Sequence, residues 1–361
     1  MNKYVQRIRY PPFEYSHMNA NSVPLVEVVI ESDKILENEF KIGQDDSWFV
    51  EWRKYNESDS NLSIIKCEVT TDPLPFLMRT RNGWYITPDP LHLVSRKIIG
   101  PTVMILIASI LIHATEPGLL ELGIISESFA GSYRLGPLDY PKLLLFSFPI
   151  FLLPLAFRMF ANMRDIRKQN NYVNNPLKPP DIEIKKGINH IDMKIISTPK
   201  EMKIERARLQ VGIAVPEREK ILMALKKEEG QQPSPGMSTK PPEKRISTGD
   251  EMGTGVGEAT PMAVSHSRVL ILESLRVLES GEWSNISNKN KEIRLNGPTD
   301  KWPGSIYSAL IAIHWELIIE ATRDDGTKMK WVRPINMTSS NEKIEIGILP
   351  VRSGRIEMSD Y

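Results

Sequence analysis

Two uncharged apolar stretches constrain this chain more than any other feature. Ile98–His113 reads IIGPTVMILIASILIH and Leu143–Phe157 reads LLLFSFPIFLLPLAF, the first without a charged residue before its histidine and the second uncharged up to Arg158. A helix rising about 1.5 Å per residue needs about 20 mainly apolar residues to cross a hydrocarbon core of about 30 Å. Tyr140–Phe160 meets that length. The first run is slightly short, and Arg96 and Lys97 can snorkel outward from its start. The alternative is a buried helical hairpin of a water-soluble domain, but two such runs in tandem are unusual in a soluble core. Pro101, Pro149 and Pro154 also sit better in a membrane span, where neighbouring groups re-satisfy the freed backbone. The sequence therefore predicts an integral membrane protein with two spans, forming a helical hairpin over 93–168.

The flanks set its orientation. Arg96 and Lys97 precede the first span, and Arg158, Arg164, Arg167 and Lys168 follow the second. The connecting loop carries Glu116, Glu121, Glu127 and Asp139 against only Arg134 and Lys142. Counting Lys and Arg places both termini in the cytoplasm, with a short outer loop. Tyr133 and Tyr140 fit an aromatic anchor at that outer interface, and Leu119, Leu120, Leu122, Ile124, Ile125 and Phe129 are the material of an interfacial helix. The four basic residues after the second span are a topology signal whose partner is the lipid bilayer; a sharper reading makes them a site for anionic lipid.

The flanking regions read as β-structure. Before the spans, Val26–Ile30, Phe40–Ile42, Trp48–Trp52, Ser63–Val69 and Trp84–Ile86 show short strand patterns. In Ser63–Val69 the residues Ile65, Cys67 and Val69 share one face. They predict a small β-sandwich over 1–92, its structured part starting near Val23 after a polar, basic leader without the apolar run of a secretory signal. After the spans, a polar connector (Gln169–Pro180) leads to strands at Ile182–Ile184, Ile191–Ile196 and Lys203–Val215. In the last of these, Ala207, Leu209, Val211, Ile213 and Val215 share a face, and Ile204 and Glu205 interrupt the alternation. Further strands fall at Val269–Leu278, Glu292–Leu295, Ile306–Ala321, Trp331–Asn336 and Lys343–Leu349, with a short helix at Glu217–Lys227. Residues 230–266 are rich in Pro, Gly, Ser and Thr and read as a flexible linker. The fold class expected is mainly β: two β-sandwich domains (1–92 and 169–361), immunoglobulin-like or arrestin-like, flanking a two-helix transmembrane hairpin.

Three segments carry a family likeness. Ser197–Val215 (STPKEMKIERARLQVGIAV) opens on a Thr-Pro-Lys turn and continues as a strand of alternating basic and apolar residues. Leu295–Ala321 (LNGPTDKWPGSIYSALIAIHWELIIEA) runs from a Pro and Ser/Tyr turn into a long strand with an aromatic-x-Leu step at Trp315-Glu316-Leu317. Lys330–Met337 (KWVRPINM) is a basic/apolar strand with a Pro-Ile step. Together, over about 182–350, they resemble arrestin-fold domains. The resemblance implies a β-sandwich there and binding of cargo or receptor tails. The membrane hairpin departs from soluble arrestins, so recruitment to membranes in that family's manner is not implied.

Composition and residue placement then narrow the function. The 46 Lys and Arg against 45 Asp and Glu leave a net charge of +1, without the basic excess that would hold nucleic acid by bulk charge. A single cysteine, Cys67, excludes an internal disulfide framework and a cysteine-built metal cluster, and its place on an inner strand face suits a buried thiol. The mean hydropathy of −0.28 reads as soluble only because it averages over the two apolar runs. The six histidines are scattered, and His190-Ile-Asp192, the nearest approach to a cluster, lacks a third ligand. His314 is expected at solvent or in a cross-strand hydrogen bond, and Arg206 and Arg208 on a solvated strand face. No catalytic, cofactor-binding or metal-binding residue is assigned, and no cofactor. The expectation is a membrane-anchored, non-enzymatic scaffold or adaptor that binds an unidentified protein partner by strand addition. The candidate strand is Ile306–Ala321, with Ile306, Ile311, Ile313 and Trp315. A homo-oligomer is compatible with two spans. A cell-envelope structural protein with its sandwiches outside, and a membrane-bound enzyme, are the alternatives.

Overall fold

The structure is a computed structural model that describes residues 2–9, 19–22, 25–34, 39–72, 82–87, 89–214, 260–261, 277–286, 292–308, 310–340 and 342–349. The helix expected at Glu217–Lys227, most of the 230–266 linker and the 269–276 part of a strand lie outside them. The chain is mainly β, with 42% strand and 27% helix. In chain order the first strands are β1 (Asn2–Arg9), β2 (Val26–Ser32), β3 (Phe40–Gly43), β4 (Phe49–Lys54), β5 (Ser63–Lys66) and β6 (Gly83–Ile86). Helix α1 (Leu91–Glu121), a hairpin of β7 (Ser132–Leu135) and β8 (Leu138–Pro141), and helix α2 (Lys142–Asn174) follow. Then come β9 (Asp181–Lys186), β10 (His190–Ser197), β11 (Met202–Ala214), β12 (Thr260–Pro261), β13 (Val277–Ser280), β14 (Ser284–Asn285) and β15 (Glu292–Asn296). The last are β16 (Ile306–Tyr307), β17 (Ala312–Arg323), β18 (Lys328–Ile335) and β19 (Ile344–Ile346).

The described strands outside the helical hairpin belong to one compact unit, within Met1–Thr87, Tyr172–Glu251 and Ala259–Asp360. Two separate flanking domains were expected, and the strand pairing replaces them with shared sheets. A six-stranded sheet has the order β19-β3-β4-β1-β2-β5, so the last described strand closes a sheet otherwise built from the first third of the chain, pairing parallel to β3. The large sheet has the order β12-β6-β18-β17-β11-β13, and in it β6 pairs with β18 rather than with its sequence neighbours. A small sheet, β15-β10-β9, completes the unit. A side-chain tie reinforces the mixing: the buried Gln6 amide donates to the Ser308 hydroxyl at 2.8 Å, across 302 positions of sequence. One continuous apolar core includes Ile8, Val28 and Trp52 of the first sheet, Met193 and Leu295 of the small sheet, and Leu209, Trp315 and Trp331 of the large one.

The described part of the expected polar leader is the inner strand β1. Its basic residues disguise it: Arg7 lies directly opposite Glu27 and Glu51 in the register and hydrogen-bonds both, at 2.6 and 2.9 Å, while Tyr4 and Ile8 enter the core. Within β11 the interrupted alternation is a β-bulge between Ile204 and Arg206, which lets Ile204 and Ala207 both face the core. The long strand expected over Ile306–Ala321 reverses on itself. Ser308 closes a turn, its N–H donating to the Ile311 carbonyl at 3.0 Å and its hydroxyl to the same carbonyl at 2.8 Å, so Ile306 pairs back with Ile313.

The second unit, 89–171 among its described residues, is the helical hairpin. Both helices are long and apolar enough to cross a membrane, with a mean hydropathy of 2.0 over their most apolar windows. Their burial is inverted. The buried side chains of α1 are His92, Ser95, Thr102 and Ser109; those of α2 include Ser147 and Asp165. The exposed ones include Met104 at 65%, Leu111 at 62%, Phe146 at 63% and Leu155 at 64%. Just past the Leu122 cap of α1 comes Gly123, whose φ of +68° suits a residue without a Cβ. Gly123 N–H donates to Leu120 O and Ile124 N–H to Leu119 O, closing the end as a Schellman motif. The interfacial helix expected over Leu119–Phe129 therefore does not form. Leu119 and Leu120 belong to α1, and Leu122, Ile124, Ile125 and Phe129 lie in the turns beyond it. The connector expected from Gln169 begins inside α2, which runs on to Asn174.

Candidate functional site

The strand chosen from sequence is central, not marginal. β17 has β11 on one side and β18 on the other along most of its length, so it has no open edge for an added peptide. Ile306, Ile311, Ile313 and Trp315 are core side chains, each 4% exposed or less, and the Trp315 indole N–H donates to the Pro303 carbonyl at 2.9 Å. These four residues hold the unit together and present no surface.

The other face of β17 carries a buried polar row, and of the two courses expected for His314, solvent or a cross-strand hydrogen bond, the structure shows the second. His314 is fully buried, with its Nδ1 at 2.8 Å from the Tyr307 hydroxyl and its Nε2 at 3.4 Å from Glu316. Gln210, directly opposite Glu316 in the register, donates its amide N–H to that carboxylate at 2.5 Å. Burial pushes the Tyr307 phenol well above its ordinary range, and the Glu316 charge acts in the same direction. Further along, Glu320 accepts from Arg206 at 2.5 Å and lies 3.2 Å from the Lys330 ammonium. Burial alone would raise the Glu320 carboxyl, but the hydrogen bond from Arg206 and the charge of Lys330 outweigh it and hold it below the usual carboxylate range. Arg206 and Arg208 stack on the half-buried Trp283 ring at 4.3 and 4.2 Å, and Arg208 is buried rather than solvated. With Gln210, His314 and Glu316 at 1% exposure or less, this row locks strand register from inside and offers no open cleft.

A second polar cluster lies within the helical hairpin. Asp165 of α2 accepts the Asp89 backbone N–H at 3.1 and 3.2 Å, sits 3.1 Å from His92 Nε2, and accepts from Lys168 at 3.0 Å. The Asp89 carboxylate caps the start of α1 by accepting the Leu91 N–H at 3.0 Å, and lies 3.5 Å from Arg164. Nearby, the Ser95 hydroxyl donates to the Pro154 carbonyl at 2.8 Å. Two of the basic residues assigned from sequence, Arg164 and Lys168, are thus engaged by carboxylates. Lys97 and Arg167 are exposed, and Arg96 and Arg158 are half-buried on their helices. Asp89, His92 and Asp165 were missed. The signal available was an acidic residue inside a basic run, Arg164-Asp165-x-x-Lys168, at helical spacing.

The open surface is on the small sheet. Its inner face is apolar, with Ile182, Ile191, Met193 and Leu295 in the core. Its outer face is a checkerboard of two rows fixed by the register: Lys185–Asp192–Arg294 and Glu183–Lys194–Glu292. Asp192 accepts two bonds from Arg294, at 2.7 and 3.1 Å, while His190 Nδ1 lies 3.0 Å from the Ile188 carbonyl. These side chains and Ile293 line an open groove of about 400 Å³. Among the described residues β9 pairs only with β10, and no group of three His, Cys, Asp or Glu could hold a metal ion.

Comparison of the chain with family models, with curated proteins and with solved structures gives no match.

Proposed function

We propose that this chain is a membrane-anchored, non-enzymatic adaptor whose β-rich unit binds another protein, with the helical hairpin as its anchor. The observation that carries the reading is the inverted burial of the two helices. Helices that bury Ser, Thr, His and Asp and expose Met, Ile, Leu and Phe are stable where the surroundings are hydrocarbon. The excess of Lys and Arg at the span ends away from the connecting loop supports a cytoplasmic location for both termini.

The surface best suited to a partner is the β9 edge beside the charged groove. An added strand would take backbone hydrogen bonds from β9 and set alternate side chains against Glu183 and Lys185. The partner segment that fits is extended, with a basic and an acidic residue two positions apart. The arrestin-like motifs over 182–350 support a protein-binding role of the same kind. A photo-crosslinking residue in place of Glu183, in native membranes, is expected to give a discrete protein adduct that disappears on Lys185→Glu with Arg294→Glu. No adduct, or the same adduct from a probe at the exposed Asp46, would contradict the assignment.

A further inference from the structure

The segment joining the two helices is an ordered cap with an amphipathic tip. Glu116 near the end of α1 receives the Gly131 N–H at 2.7 Å and binds His113 at 2.8 Å. At the start of α2 the Lys142 ammonium donates to the carbonyls of Ser128 and Ala130, at 3.0 and 2.8 Å, and lies over the Tyr133 ring. The segment is thus tied down from both helices by charge-assisted hydrogen bonds. Between these ties runs the β7–β8 hairpin. Its register puts Tyr133 opposite Tyr140 and Arg134 opposite Asp139, with Leu138 on the tyrosine side. One face is therefore apolar and aromatic, the other charged.

Tyr133, Leu138 and Tyr140 are all exposed, as are Leu122, Ile124 and Phe129 in the preceding turns. An isolated two-stranded hairpin is marginal in water, and this one would also leave its aromatic face wet. The helices that flank it in sequence also expose large apolar side chains, including Leu111 of α1 and Phe146 of α2.

We propose that this hairpin is an interfacial foot. Its Tyr133–Leu138–Tyr140 face lies in the headgroup layer of the bilayer that the helices cross, and Arg134 and Asp139 face water. The occupant of the apolar face is lipid. Tyrosines suit that depth because each ring has an apolar body and a hydroxyl that stays wet. The inference rests on the reading of the two helices as spans.

The test uses the full chain with Cys67→Ala, reconstituted in phosphatidylcholine vesicles and labelled with an environment-sensitive fluorophore at single cysteines. The sites are Ile107→Cys in α1, Leu138→Cys and Tyr140→Cys on the apolar face, and Asp139→Cys on the polar face. The 138 and 140 labels are expected to be quenched by nitroxide carried near the lipid headgroup and protected from aqueous iodide. The 107 label should be quenched by mid-chain nitroxide, and the 139 label by iodide. If the 107 label behaves as expected while 138 and 140 are open to iodide, the hairpin stands in water and the proposal fails alone. If 138 and 140 are shielded from both quenchers, protein covers the face, a second copy included, and the proposal again fails. If the 107 label is itself open to iodide, the spanning reading falls and takes the foot with it.

Discussion

The β-rich unit and the helical hairpin solve opposite packing problems with one chain. In the β unit, Trp52, Trp315, Leu209 and Met193 are sealed inside, and charge is arranged outside, as in the small-sheet checkerboard. In the hairpin the side chains sealed inside include His92, Ser95, Thr102, Ser109, Ser147 and Asp165 beside the small Ala161, while Met104, Leu111, Phe146 and Leu155 point outward. Burial of apolar area drives folding only against water; against hydrocarbon the useful interior contacts are hydrogen bonds and close packing of small groups. The same Ile or Leu is therefore worth different amounts in the two regions.

Truncating a large side chain on each side should expose that difference. Trp315→Ala removes a fully packed indole and its hydrogen bond and is expected to cost ~3–5 kcal/mol in denaturant unfolding of the detergent-solubilised chain. Ile107→Ala, which empties an outward position, should change stability by less than ~0.5 kcal/mol. Equal costs would show that the hairpin packs like a soluble core. The polar counterpart is Asp165→Ala, which leaves the Asp89 N–H, His92 and Lys168 without their shared acceptor. It should cost ~3 kcal/mol, seen as earlier loss of hairpin protection from proteolysis, and Asp165→Asn should recover part of it.

A smaller effect sharpens the contrast from the side of the β unit. Asp59 accepts two bonds from Arg53, each at 2.7 Å, and the Asn56 N–H at 2.9 Å. The Arg53 hydrogen bonds chiefly hold its carboxyl down to about 2 from an ordinary 3.8. A depressed carboxylate stabilises the folded state above its ordinary value, and that contribution is lost as the pH falls from about 4 through about 2. Asp59→Asn should cost roughly 1 kcal/mol near neutrality. It should also flatten the acid limb of stability between those pH values, which would stay unchanged if the pair contributed nothing.

The two long apolar helices were legible in the sequence because an uncharged run of that length has few alternatives. The bulge in β11 was legible too, since Ile204 and Glu205 visibly break a period of two. Sheet membership was not. Nothing local in Trp84-Tyr85-Ile86 says that it pairs with Lys328–Ile335, or that Ile344–Ile346 joins Phe40–Gly43, because pairing across the chain is decided by tertiary packing. β1 was hidden because Arg7 looks like a leader residue until Glu27 and Glu51 are placed beside it. The burial of the polar row of β17 was hidden for a related reason. Period-two alternation separates two faces without saying that both are covered, and β17 is buried on both. Choosing the longest strand as a binding edge failed on the same ground, since length favours the centre of a sheet.

The anchor reading is tested most directly by alkaline carbonate extraction of membranes from cells producing the full chain. The account predicts that the chain stays in the membrane pellet, because two spans with outward Met104, Ile105, Leu111, Phe146 and Leu155 hold it independently of any peripheral contact. Release into the supernatant would contradict it, and the hairpin would then have to bury those side chains against protein.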